Sequence, residues 1–425
     1  MKNKKIKHTN FNRIIILTQY FAPEPGAPQI RLMEMSKYMI SKGIDVEVIT
    51  GFPNYPDGVL HEGYSKRYFM KDKIKGIPIT RSWIYPAAGK NILKRLLNYF
   101  SFIISSIIPL FSSKKPDLIF VEAQPIILGI PAYFYKLLRG VPYIYNTPDL
   151  QIEYAEEDHW VGVKMIIKLA KLIERKLMLN ALSVTTVTHA FIKHFINHRE
   201  ITPSKMSFLP NGADTDILRP LKKDENLLNK FQLNGKKIFT FAGTHAPYQG
   251  LETIIDAAEI LRDRDDIAIL MVGKGPVRNT LISKAKSMVL DNIHFKNSPF
   301  NEMPNLMSIT YASIVVLRDL PMARKMRLSK TIPPISCGVP VIYGGFGETA
   351  EILKDNKAGI VVEPEDSSKL ASAIIKIADD ANLRKEMSIN CRRLALRDFS
   401  WNNIVESWLC QINAVKNGED PKKFY

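Results

Sequence analysis

Short apolar runs separated by helix-length segments recur through this 425-residue sequence. RIIILT at 13–18 is followed by a Pro-rich loop. A helix pattern then covers 29–41, with Ile30, Met33, Met35 and Met39 apolar, and a second run, DVEVIT, occupies 45–50. Gly43 stands where a helix C-terminus takes a left-handed residue. Runs this short, rich in β-branched residues and spaced by a helix, fit parallel strands joined by crossovers. The pattern continues at 77–84, 117–122, 142–146 and 183–187. It begins afresh at 237–242 and goes on through 267–272, 293–295, 314–317, 339–343 and 359–362. The sequence therefore predicts an α/β chain of two doubly wound domains, and its length suits two cores.

The expected boundaries follow from composition. Residues 1–13 form a basic tail, 14–216 a first domain and 217–399 a second. A helix within 400–425 crosses back to the first. The polar start of 217–234 marks the linker. The net charge of +17 leaves three kinds of partner: nucleic acid, an anionic membrane or a phosphate-rich substrate. With no zinc-ligand spacing, RNA-recognition motif or basic heptad region, no nucleic acid partner is expected. Cys337, Cys391 and Cys410 are too few and too scattered for a disulfide framework or a metal site, which fits a reducing cytoplasm. The apolar run at 14–17 is too short for a cleavable signal.

The stretch 90–111 admits two readings. Lys90, Lys94 and Arg95 lead into apolar residues interrupted by Asn98, three serines and Pro109, short for a membrane span. It is either a helix buried against the sheet or an interfacial helix with its cations at the headgroups of an inner membrane face.

Residues 324–351 carry the strongest local signal. A basic cluster of Arg324, Lys325, Arg327 and Lys330 precedes the strand at 339–343. A glycine loop with Gly344, Gly345 and Gly347 follows, and then Glu348 at a helix start. Glycines admit close backbone approach, and a helix start favours an anion. Two more glycine loops, 243–250 and 273–276, also follow strands. None matches G-x-G-x-x-G or G-x-x-x-x-G-K-[ST], which argues against hydride transfer and a P-loop NTPase. In the first half, Gly26, Arg31 and Asp149 fall at the carboxyl edge of the expected sheet, where such sheets bind ligands. Plainer readings stand beside these. Gly26 allows a turn, and Arg31 is a solvated helix residue. Arg324 and Lys330 belong to a basic surface, Glu351 is a helix-surface carboxylate, and His245 caps a loop.

Several motifs together resemble the family 4 glycosyltransferases of two-domain GT-B fold, in the branch similar to fucosamine transferases of surface-polysaccharide assembly. They are Gln19-Tyr-Phe-Ala-Pro with Gly26 and Arg31, Pro148-Asp-Leu150, Pro210-Asn-Gly-Ala-Asp214, Phe241-Ala-Gly-Thr-His245 with Gln249-Gly-Leu251, Val272-Gly-Lys-Gly-Pro276, Leu328-Ser-Lys330, Cys337-Gly-Val-Pro340 and Gly347-Glu-Thr-Ala-Glu351. The resemblance covers nearly the whole chain. It implies two Rossmann-like domains facing a cleft. Gly26 would give the donor diphosphate room, beside Arg31, while Arg324 and Lys330, with Ser329, would bind it. Gly273, Lys274 and Gly275 would lie near the base, and Glu351 at the ribose hydroxyls. Gly347, Glu348 and Thr349 would line the phosphate and sugar pocket, Gly243 and Thr244 would also bind the donor, and His245 would touch the sugar. Asp149 would face the acceptor or donor sugar.

The implied activity is transfer from a nucleotide-sugar, a UDP-sugar by preference, to a saccharide or lipid-linked saccharide, with retention, no cofactor and no metal. The enzyme would be cytoplasmic, at a membrane surface. Alternatives are a sugar-nucleotide 2-epimerase and a catalytically silent partner subunit. The sequence departs from the family at two positions. Pro333 stands where the family has a glutamate, so the helix after Lys330 is not expected to start normally. Leu328 replaces the usual proline.

Overall fold

The computed structural model describes residues 11–24, 26–55, 57–64, 67–87, 92–157, 164–299 and 302–425. Most of the basic tail, Lys90 and the expected helix start at Trp160 lie outside the described residues. The chain divides into two compact units, residues 1–211 with 404–425, and residues 212–403.

The first unit opens with β1 (Arg13–Leu17), α1 (Ala27–Ser41), β2 (Asp45–Gly51), β3 (Phe69–Ile74) and β4 (Ile77–Ser82). Then come α2 (Ile92–Ser112), β5 (Leu118–Glu122), α3 (Gly129–Arg139), β6 (Tyr143–Asn146), α4 (Gln151–Glu157) and α5 (Lys164–Asn180). β7 (Ser183–Thr186), α6 (His189–Arg199) and β8 (Met206–Phe208) complete it. The sheet order is β3-β4-β2-β1-β5-β6-β7-β8. Every pairing is parallel except β3 with β4. β1 and β5 are buried almost throughout, as continuous apolar runs between helix layers must be. β3 was not expected. It is an edge strand of alternating exposure, joined to β4 by the tight turn Lys75-Gly76, and FMKDKI offers no apolar run to mark it.

The second unit contains α7 (Glu225–Phe231), β9 (Lys237–Ala242), α8 (Glu252–Ile260), β10 (Ile267–Val272), α9 (Arg278–Ser287) and β11 (Ile293–Lys296). α10 (Met303–Ile309), β12 (Ala312–Val316), α11 (Ile332–Ser336), β13 (Val341–Gly344), α12 (Glu348–Asp355) and β14 (Gly359–Val362) follow, and α13 (Ser367–Asp379) and α14 (Ala381–Leu394) end it. Its sheet is wholly parallel, in the order β11-β10-β9-β12-β13-β14. Apolar clusters cover both faces. The expected linker contains α7, whose start Asp224 caps by accepting from Leu227 N at 3.0 Å. Its residues Leu227, Leu228 and Phe231 join the core of this unit.

The last helix, α15 (Trp401–Asn417), belongs to the first unit from Ile404 onward. Trp408 is fully buried there, with its ring edge 5.4 Å from Phe120 and its Nε1 donating to Thr185 Oγ1 at 3.3 Å. Gln411 accepts from Phe208 N at 2.7 Å.

Candidate active site

Both sheets reverse their strand order at one point, between β9 and β12 in the second unit and between β1 and β5 in the first. The carboxyl ends of strands at such a point are where open α/β sheets take ligands. In each unit, most of the expected site residues follow strands at or next to this point.

In the second unit, Gly243-Thr244-His245 follow β9 and Gly273-Lys274-Gly275 follow β10. The two loops are pressed together. Gly243 N donates to Val272 O at 2.9 Å and His245 N to Lys274 O at 2.8 Å. A Cβ on Gly273 would stand 2.0 Å from Gly243 O, and one on Gly275 would stand 2.3 Å from His245 O. These glycines are thus required by loop-on-loop packing. Thr244 and Lys274 are exposed at the rim, while His245 is fully buried. Its ring stacks on Phe241 with centroids 5.6 Å apart, and neither ring nitrogen has a hydrogen-bond partner among the described residues. Burial, then the charges of Arg278 and Lys330, push its pKa down to about 4. His245 is a neutral ring beneath the loop rather than a surface cap.

Lys330 crosses over this loop. Ser329–Thr331 form a 3-10 turn that runs directly into α11. The lysine stem lies so close over Gly243 that a Cβ there would come within 2.7 Å of Lys330 Cε. Its Nζ stands 5.5 Å from the Phe241 ring centroid and meets Thr244 O at 3.5 Å. No carboxylate pairs with it among the described residues. Burial alone lowers its pKa to about 8. A desolvated cation without an anion favours any ligand that brings negative charge. Ser329 is exposed beside it.

The expected helix defect at Pro333 is absent. α11 forms, with proline in its first turn, where the missing N–H would have had no helical partner anyway. Cys337 N and Val339 N donate to Pro333 O and Pro334 O at 3.0 and 2.8 Å. The second departure adds a bond. Leu328 N donates to Thr349 Oγ1 at 3.0 Å, which a proline could not do.

α12 starts at Glu348, after Gly347 at φ +83°. A Cβ on Gly347 would stand 2.2 Å from Arg324 O, so only glycine fits. Glu348 is half-buried beside Arg327, with Nη1 and Oε1 3.4 Å apart. The Arg327 guanidinium also covers the Phe399 ring at 5.0 Å. Arg324, expected on the diphosphate, is held elsewhere. It is half exposed and gripped bidentately by Asp319 at 2.9 and 2.8 Å, 4.7 Å over the Phe346 ring. Asp319 already fills the fork that a phosphate would need. Glu351 is exposed one turn along α12, on the wall of an open groove of about 650 Å³ with Lys354 and Glu363.

In the first unit, Arg31 is not a solvated helix residue. It is 1% exposed. Its Nη2 donates to Glu122 Oε1 at 2.5 Å and its Nη1 to Asn211 Oδ1 at 2.9 Å. Asn146 Nδ2 donates to the other Glu122 oxygen at 2.7 Å. Burial raises the Glu122 carboxyl, and Arg31 opposes that rise. Asp149 lies beside this cluster, half-buried, accepting from Gln124 Nε2 at 2.6 Å. Burial raises its carboxyl too. A Cβ on Gly26 would meet Gln29 Oε1 at 2.2 Å, so the space at Gly26 is shared with a side chain of α1. Glu122, Gln124 and Arg327 complete the two clusters. Position at a strand end could have flagged the first two. Arg327 was indistinguishable from its basic neighbours.

Residues 26–212 match the glycosyl transferase 4-like domain, and residues 223–394 match the glycosyl transferases group 1. The chain belongs to the GT-B glycosyltransferases of family 4. It is 24% identical to the glycosyl transferase WcaI of Escherichia coli (strain K12), named for colanic acid biosynthesis, over 94% of this chain and 99% of that protein. An Escherichia coli UDP-Gal:alpha-D-GlcNAc-diphosphoundecaprenol alpha-1,3-galactosyltransferase is 23% identical over 77% of this chain and 81% of its own. The solved structure of Anabaena Alr3699/HepE with UDP and glucose superposes with a TM-score of 0.67 at 16% identity, covering 95% of this chain and 98% of that one, and shares the fold. This glycosyltransferase acts in glycan biosynthesis, as its relatives do.

Proposed function

We propose that the enzyme transfers a hexosyl group from a UDP-sugar to a saccharide or lipid-linked saccharide, with retention of configuration and without a metal ion, in the surface-polysaccharide branch similar to fucosamine transferases. The observation that carries this reading is Lys330, a desolvated ammonium without a carboxylate partner, lying over a glycine loop at the switch point of the second sheet. UDP is favoured because the HepE structure holds it and the galactosyltransferase's name specifies it. The same name supports a diphosphate-linked lipid acceptor.

In this reading Lys330 and the first N–H groups of α12 stabilise the charge that grows on the departing diphosphate. Gly347 lets that helix start come close. Arg327 holds Glu348 in place at the sugar, and Glu351 takes the ribose hydroxyls. Asp149, oriented by Gln124, receives the acceptor hydroxyl. Arg31 positions Glu122 and Asn211 behind it. Arg324 contributes only after release from Asp319.

The test supplies a panel of UDP-hexoses, with and without a diphosphoundecaprenol-linked saccharide, in the presence of a chelator. UDP release that requires acceptor, with a product of the donor's anomeric configuration by NMR, supports the reading. Conversion of the donor alone to its epimer would establish a 2-epimerase. Binding without any turnover would indicate a silent subunit.

A further inference from the structure

The chain passes from the first unit to the second between residues 211 and 212 and returns between 403 and 404. On the second unit's side the two connections are bonded to each other. Ala213 N donates to Phe399 O at 2.7 Å, Trp401 N donates to Ala213 O at 3.2 Å, and Ala213 and Ser400 form an isolated parallel bridge. Arg392, near the end of α14, pins the outgoing segment further on. Its Nη2 donates to Thr215 O at 3.0 Å, and its Nη1 to Leu218 O and Ser336 O at 3.0 and 2.8 Å. Ser336 is the last residue of α11, the helix into which the Lys330 turn runs.

Between α14 and this bridge, Ala395–Phe399 form a π-helical turn. Such turns are rare and recur at functional sites. This one ends on Phe399, which is 2% exposed and part of an apolar cluster. A phenylalanine that only filled the core would need nothing more. The face of this ring also takes the Arg327 guanidinium, at 5.0 Å. The Arg327 side chain is 11% exposed, and burial pulls its pKa down, with Glu348 and then Asp398 opposing. A desolvated guanidinium gains most from an aromatic face, and its planar shape stacks there. Its Nη1 then stands 3.4 Å from Glu348 Oε1, at the first residue of α12. Leu328, next in the chain, donates from its N–H to Thr349 Oγ1. Two successive residues thus fasten the same helix start.

We propose that Phe399 is a positioning residue of the candidate site. Its ring fixes Arg327, Arg327 fixes Glu348 at the start of α12, and the bonded connections fix Phe399. The inference rests on the reading that Glu348 and the first N–H groups of α12 face the donor. Its first test needs no donor.

Amide hydrogen exchange of the unliganded full chain, read by mass spectrometry, follows the segment 345–352, where Ala350 N and Glu351 N donate to Gly347 O at 2.9 and 3.2 Å. Phe399→Leu keeps an apolar side chain and removes the ring, and Arg327→Met removes the cation. Each should speed exchange in this segment about tenfold. The two together should be within about twofold of either alone, because both break one chain of contacts. Faster exchange confined to 395–403, or effects that multiply in the double variant, would overturn the proposal and leave Phe399 a core residue. Phe399→Met takes the place of the leucine variant if that one does not fold. In turnover of UDP-hexoses, Phe399→Leu should lower kcat at least about tenfold while UDP affinity stays within about threefold, since Lys330 is untouched. An equal loss of UDP affinity would also overturn it. An unmodified protein that turns over no UDP-hexose would sink the glycosyl-transfer reading, and the exchange cycle would still decide whether Phe399 positions α12.

Discussion

Replacing Lys330 by methionine should strengthen the fold and weaken nucleotide binding together. Methionine keeps an unbranched apolar stem over Gly243 and Phe241 and removes the charge. In the unliganded protein that charge is a liability. Burial alone draws the lysine from 10.5 to about 8. Discounted for partial exposure, holding the proton at pH 7 costs the fold about 1–2 kcal/mol. Lys330→Met should therefore raise the melting temperature by about 2–8 °C for a unit of this size. The same change deletes a charge-assisted contact to the diphosphate worth about 1.5–3 kcal/mol, so UDP should bind about 10–150-fold more weakly.

The pH dependence has a fixed sign. Above pH 8 the free enzyme has lost the Lys330 proton, and binding a diphosphate must take it back. Affinity of the unmodified enzyme should fall as pH rises through about 8, and that of Lys330→Met should not. Stability runs the other way. Between about pH 8 and 10.5 the unfolded chain holds a proton that folded Lys330 lacks, so the unmodified protein gains stability that the substituted one does not. Calorimetric titration with UDP and scanning calorimetry without it read both quantities. A substituted protein that melts lower and binds UDP equally well would refute the reasoning and make Lys330 a structural residue.

Three further outcomes follow from the same geometry. Gly347→Ala should cost at least about 2 kcal/mol in urea unfolding and impair UDP binding, because its Cβ meets Arg324 O at 2.2 Å in a left-handed backbone. Arg31→Met should cost about 3–5 kcal/mol in the same assay, since it leaves Glu122 buried without its cation, and Arg31→Met with Glu122→Gln should recover part of the loss. His245 is held neutral, with a pKa of about 4 against 6.5 unfolded. Stability should fall as pH drops from 6.5 towards 4, and His245→Phe should lessen that fall when the two proteins' melting curves are compared across the window.

The parallel strands other than β8, a piece of three residues, were legible because most are apolar runs closed by a loop. β3 was not, since an exposed edge strand needs no apolar face. The glycine loops could be placed from sequence, but not the reason for Gly273 and Gly275, which is contact with a loop thirty residues earlier. Charge misled in both directions. Arg31 on a helix pattern reads as solvated and is buried on Glu122. Arg324 heads a basic cluster and is held by Asp319, five residues before it. The Arg31 pairing depends on a tertiary neighbour 91 residues away, which spacing does not encode, while the Arg324 pairing depends on the local turn that brings Asp319 round to it. Pro333 looked like a break because proline is costly within a helix, whereas its place in the first turn makes it harmless.

The most direct test of the glycosyltransferase account is the melting temperature of the protein with UDP, GDP, CMP or NAD, since a ligand that binds only the folded state must raise it. The account predicts a rise with UDP that Lys330→Met largely abolishes. No rise with any of the four nucleotides would contradict it.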